Sequence, residues 1–116
     1  MIGPSSSHTA GAVKVGYLAK TIFKDKIIKA DIHLHGSFAR TFKGHGTDRA
    51  LVGGLLGFKP DDERIKDALN IAAEQGVEID FHLSELKNVH PNTAKLDLYS
   101  ENKEMTIIGS SVGGSQ

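Results

Sequence analysis

The sequence predicts an α+β two-layer sandwich: an about four-stranded, mostly antiparallel sheet with helices on one face, in the order αβααβββ. Three observations carry this reading. Apolar residues over 8–23 recur at helical spacing, and residues 27–35 alternate with period two. Three strand-like stretches then follow one another in the last third with no helix between them.

Each element has its own signal. In the first helix Ala12, Val15, Leu18, Ala19 and Ile22 form one apolar stripe, with Pro4 and Ser5-Ser6-Ser7 as start and cap. In the first strand Ile28, Ala30, Ile32 and Leu34 face one way, and Lys29, Asp31, His33 and His35 the other. A glycine-bearing loop over 36–46 leads to Thr47, which can cap a helix carrying Leu51, Leu55 and Leu56 and stopping at Gly57. Pro60-Asp61-Asp62 opens another helix, with Ile65, Ala68, Leu69 and Ala72 inward and Gly76 as its stop. Ile79, Phe81 and Leu83 alternate with polar residues, as do Ala94, Leu96 and Leu98. The turn His90-Pro91-Asn92 between them predicts a hairpin. Met105–Ile108 form a last short strand before a small-residue loop from Gly109 to Gly114.

Composition sets the outer limits. The 116 residues are a single-domain length, and 39% of them are hydrophobic. With 5 Phe, 2 Tyr and no Trp, the core must be aliphatic. Lys plus Arg and Asp plus Glu are both 14, and zero net charge argues against a nucleic-acid partner. No cysteine is present, so disulfides and thiolate metal sites within this chain are excluded. No apolar run is long enough for a membrane span and no leader opens the chain, so the expectation is a cytoplasmic protein.

Three groups of residues can carry chemistry. Ser5, Ser6, Ser7, His8 and Thr9 put hydroxyls at a helix N-terminus, where free N–H groups and the dipole favour an anion, although a plain cap uses the same residues. His35-Gly36-Ser37 and Lys43-Gly44-His45-Gly46-Thr47-Asp48-Arg49 gather two imidazoles, two cations and a carboxylate among glycines. His45 is the candidate for proton transfer. Gly44 and Gly46 free its backbone, Asp48 can fix its tautomer, and the nearby cations favour the neutral imidazole that a base needs. The plain reading of this stretch is a polar connector. His33-x-His35 has the spacing of a zinc pair, but with no cysteine and only Asp31 nearby the metal reading is weak. His82, on the polar side of its strand, and His90, before a turn proline, read as structural.

Taken together, five strings are familiar. Ile2-Gly3-Pro4-Ser5-Ser6-Ser7-His8-Thr9-Ala10-Gly11 and His35-Gly36-Ser37-Phe38-Ala39 resemble the β chain of iron–sulfur L-serine dehydratase (L-serine ammonia-lyase). So do Gly44-His45-Gly46-Thr47-Asp48-Arg49-Ala50-Leu51, His90-Pro91-Asn92-Thr93 and Gly109-Ser110-Ser111-Val112-Gly113-Gly114, in the same order. The resemblance implies an enzyme that converts L-serine to pyruvate and ammonia without pyridoxal phosphate. A [4Fe–4S] cluster in the α chain acts as Lewis acid on the substrate hydroxyl, a base removes the α proton, and aminoacrylate forms and hydrolyses.

On this resemblance Ser5, Ser6, Ser7, His8, Thr9, His35, Ser37, Lys43, Thr47 and Asp48 bind substrate and His45 is catalytic. L-serine, the α chain and a second copy of this chain are the expected partners. This chain binds no cluster itself, and alone it is expected to be inactive. Residues 1–116 read as one domain, a fragment that stops where an ACT domain follows in longer members. Two alternatives are an allosteric serine-binding domain, as in one class of D-3-phosphoglycerate dehydrogenase, and a metal-dependent hydrolase using His33, His35 and His45. The helix starts at Ser5–Thr9 and Gly44–Asp48 are expected to lie near each other, since one small anion would use both. The helix glycines Gly11, Gly16, Gly53 and Gly54 are expected to mark close packing, with a partner or within the fold.

Overall fold

The computed structural model describes residues 4–36, 46–83 and 92–110, with residues 4–9 and Asn92 described by their backbone alone. The order is α1 (Pro4–Phe23), β1 (Lys29–Gly36), α2 (Thr47–Leu55), a 3-10 turn (Glu63–Asp67), α3 (Ala68–Glu74), β2 (Glu78–Leu83), β3 (Asn92–Tyr99) and β4 (Glu104–Ser110). The α+β class and the element order agree with the sequence reading. Among the described residues no helix is long and apolar enough to cross a membrane.

The sheet order is β2-β1-β3-β4. This corrects the expected hairpin between the strands at 79–83 and 92–99. Those strands do not touch; they flank β1, with β2 parallel to it and β3 antiparallel. The helices between β1 and β2 explain this, because a strand–helix–strand crossover returns the chain in the same direction. Central β1 is therefore covered on both edges, and its Ala30, Ile32 and Leu34 are fully buried. β4 pairs antiparallel with β3 over seven residues, so Gly109 and Ser110 belong to a strand rather than to the expected loop.

The helices cover one face of the sheet. In α1, Ala12, Val15, Ala19 and Phe23 are buried, whereas Leu18 and Ile22 are 56% and 45% exposed, against expectation. The reason is the α1–α2 crossing. A Cβ on Gly16 would sit 2.2 Å from the Leu51 carbonyl oxygen, and one on Gly54 2.2 Å from that of Val13. Backbone meets backbone there, so α1 turns its glycine side to α2 and leaves Leu18 and Ile22 outside. These two glycines are spent within the fold, and so is Gly53, whose missing Cβ leaves room for Ile65.

Two helix starts also differ from expectation. α1 begins at Pro4, four residues early, because a first-turn proline has no N–H to lose. Ser5, Ser6 and Ser7 thus lie within its first turn. Thr47 is the first residue of α2 and not its cap; the cap position is Gly46, left-handed at φ 79°, with no side-chain cap bond. The expected helix after Pro60 splits into the 3-10 turn and α3. Asp62 caps the turn by accepting from the Arg64 N–H at 2.8 Å. Ile65, Ala68 and Ala72 point inward, and Leu69 does not.

Candidate functional site

Register alone brings three of the sequence strings into one row. His35 of β1 lies opposite Thr93 of β3, and Thr93 lies opposite Ser110 of β4. Facing residues in a sheet point to the same side, so all three side chains leave one end of the same face. Thr93 is fully buried, and its Oγ1 is 2.7 Å from Ser110 Oγ in a hydroxyl–hydroxyl hydrogen bond. Gly36 faces Asn92 one step further along.

The course of α1 relates it to this row. Val15 packs against Gly109, and the Lys103 ammonium lies 4.9 Å from the centre of the Phe23 ring, at the opposite end of β4. α1 therefore runs antiparallel to β4, with its N-terminal turns directed past the Ser110 end. Ser5, Ser6, Ser7, His8 and Thr9 lie on those turns. An α-helix N-terminus carries free N–H groups and a partial positive charge.

The second string begins at α2. Thr47 is buried there, and the carboxylate of Asp48 accepts the Arg49 backbone N–H at 2.7 Å. Arg49 folds back over Gly46: its Nη2 would be 3.4 Å from a Cβ at that position. A guanidinium therefore stands beside the start of α2. Ser37, Lys43 and His45 lie outside the described residues.

The rest of the open sheet face is a lattice of polar pairs. His33 Nε2 is 3.3 Å from Asp97 Oδ2, and His82 Nε2 is 3.7 Å from Asp31 Oδ1. The two rings stack at 4.7 Å with 20° between their planes. Asp97 also accepts the Thr106 hydroxyl at 2.6 Å. His33 thus engages a neighbouring strand, and His35 sits at the row described above. Among the described residues no three histidines or carboxylates converge as a metal would require. Tyr99, on the same face, has its phenol pushed above the ordinary value, first by burial and then by Asp97, Asp31 and Glu104.

Thr93 and Ser110 were not among the binding residues expected from sequence. Each reads as an ordinary strand residue until the register puts it beside the other and opposite His35.

Comparison with known proteins agrees with this convergence of strings. A family model described as serine dehydratase beta chain matches residues 1–75. The chain is 52% identical over 116 residues to the L-serine dehydratase, beta chain, of Peptoniphilus asaccharolyticus, covering 98% of this chain and 52% of that protein. It is 48% identical to the probable L-serine dehydratase, beta chain, of Bacillus subtilis, covering 100% of this chain and 53% of the relative. It is 33% identical over 113 residues to L-serine dehydratase 2 of Escherichia coli, covering 82% of this chain and 24% of that protein. The chain thus spans about half the length of the two β-chain relatives. With matching strings in matching order, and a match along nearly its whole length, the chain belongs to the serine dehydratase β-chain family.

Proposed function

We propose that this chain is the part of the β component of an L-serine ammonia-lyase that binds the amino acid, in an enzyme converting L-serine to pyruvate and ammonia. The observation that carries the reading is the row His35, Thr93, Ser110 at the end of the sheet toward which α1 directs its N-terminus. A small zwitterion needs an anion site, hydroxyl partners and a titratable group within a few ångströms, and these strings supply all three. The N–H groups and serine hydroxyls at the start of α1 hold the carboxylate, joined by Lys43. His35 and the hydroxyls beside it orient the substrate, and His45 takes the α proton.

The second helix start supports one shared site. α1 and α2 touch at Gly16 and Gly54, and Thr9 and Thr47 each lie seven residues upstream of that contact, about 10 Å along a helix. Lys20 and Ile27, at the C-terminal end of α1, line one cleft with Val52, Leu55 and Leu56 of α2. The helices therefore run in the same sense.

An iron–sulfur cluster does not fit this chain. It contains no cysteine, and among its described residues no group of three histidines or carboxylates converges. In this reading the [4Fe–4S] cluster is held by an α component, and this chain alone neither binds iron nor turns serine over.

The test is His45→Ala in the assembled α–β enzyme. Turnover should fall by a factor of about a hundred or more with fold and cluster intact, the scale of a lost general acid or base. A change confined to serine cooperativity would make this an effector site, and kinetics like the parent enzyme would remove His45 from the mechanism.

A further inference from the structure

We propose that the outer edge of β4 is a self-association surface, on which a second copy of this chain adds its own β4 to form one continuous eight-stranded sheet. This inference is independent of the serine reading.

The edge is unusually open. β4 is an end strand of the sheet, and among the described residues no strand lies on its outer side. Native edge strands are ordinarily blunted by proline, bulges, lysines or inward charges. Met105–Ser110 holds no proline and no charge, and its pairing with β3 runs through seven residues without a bulge. Apolar side chains flank the edge above and below. Val15 of α1 packs on Gly109, and Leu18 and Ile22 follow Val15 at i+3 and i+7 on the same helix face. Leu18 is 56% exposed and Ile22 45%, on the side of α1 away from α2. On the opposite face of the sheet Ile108 is 58% exposed. Backbone donors and acceptors are thus bordered by unburied aliphatic surface on both sides.

The occupant follows from the sequence of the edge itself. A two-fold interface requires one patch to complement itself. The antiparallel register that pairs all seven residues sets Ile107 opposite Ile107 of the second copy. Thr106 then meets Ile108, Met105 meets Gly109, and Glu104 meets Ser110. The pleat continues unbroken, because every pair joins residues of the same face. The single charge, Glu104, meets a neutral hydroxyl, so no like charges oppose. Leu18 and Ile22 of each copy flank the same axis.

The chain contains no cysteine, so one introduced thiol reports the register directly. Facing residues in an antiparallel pair have Cα atoms about 4.5–5.5 Å apart, within disulfide range. The experiment compares the parent chain with Ile107→Cys, Ile108→Lys, the double variant Leu18→Glu/Ile22→Glu, and Glu74→Cys as a control on exposed α3. Sedimentation equilibrium should give a dimer for the parent. Ile107→Cys should cross-link under mild oxidation while Glu74→Cys does not. Ile108→Lys and the double variant should each weaken the dimer about tenfold or more with unchanged circular dichroism. Because Ile108, Leu18 and Ile22 are exposed, these two variants test the surface even where Ile107→Cys perturbs the fold. A parent chain that stays monomeric overturns the proposal. So does a dimer insensitive to both surface variants, or one dissociated by an α component that protects β4 from exchange, which would make that component the occupant.

Discussion

The backbone contact between α1 and α2 can be tested by adding a single methyl group. In Gly54→Ala the new Cβ would lie 2.2 Å from the Val13 carbonyl oxygen and 2.6 Å from the Tyr17 nitrogen. Both are backbone atoms inside a helix, so no rotamer change relieves the clash. The helices must move apart by about an ångström to restore ordinary contact. Overpacking a core costs about 1–3 kcal/mol, and a rigid obstacle on both sides belongs at the upper end. Alanine in place of glycine returns about 1 kcal/mol of helix propensity. The expected net loss is about 2 kcal/mol, or about 8 °C in Tm for a domain of this length. Gly53→Ala is the control. Its Cβ would meet Ile65 Cγ1 at 3.0 Å, a side-chain atom able to yield, so the propensity gain should roughly offset the crowding. Urea unfolding of the two variants reads the difference as a shift in midpoint at constant slope. A Gly54→Ala chain as stable as Gly53→Ala would refute the close crossing.

Two titrations test the electrostatics. The Ser100 hydroxyl donates to Asp25 Oδ2 at 2.8 Å and, with the Lys26 N–H, holds that carboxyl below its ordinary value. A depressed carboxylate contributes stability above its unfolded pKa of about 3.9 that is lost as pH falls through the folded value. Ser100→Ala should therefore raise the Asp25 midpoint seen by NMR and shift acid unfolding to higher pH; an unmoved midpoint would discount the bond. Tyr99 is raised, so its contribution is present below the unfolded value of about 10 and is lost as pH climbs through the folded one. Asp97→Asn removes one of the charges responsible and should bring the Tyr99 phenolate transition, followed by ultraviolet absorbance, to lower pH. No change would leave burial as the whole cause.

Sequence alone disclosed the strands better than their neighbours. The alternation in β1 and β3 is sharp because each buries one face completely: Ala30, Ile32, Leu34, Ala94, Leu96 and Leu98 are all fully buried. In β2 the alternation of Ile79 and Phe81 is equally regular, yet it says nothing about which edge that strand will join. Its place beside β1 comes from the intervening helices and not from its own residues. In α1 the apolar stripe was half right, because a glycine-mediated crossing rotated Leu18 and Ile22 outward. Local sequence patterns do not encode such a rotation. The site was legible as strings rather than as geometry. His35 stood out among its glycines, whereas Thr93 and Ser110 gain meaning only from strand register, a long-range property.

The unroofed sheet face has a consequence for how this protein can change. The packed layer beneath leaves little choice at Ile32 or Leu96, but the lattice of His33, His82, Asp31 and Asp97 rests on solvent and on itself. A one-residue slip of β1 would drive His33 and Asp31 into the apolar layer and strand their polar groups there, so these side chains guard the alignment of the strands without filling any space. Tolerance to substitution along β1 and β3 should therefore alternate residue by residue. Polar replacements that keep to the outer side would pass while the inner side holds still. That periodic freedom makes the outer face the part of the molecule most open to redesign, since a new binding surface could be written across it without disturbing the fold that carries it.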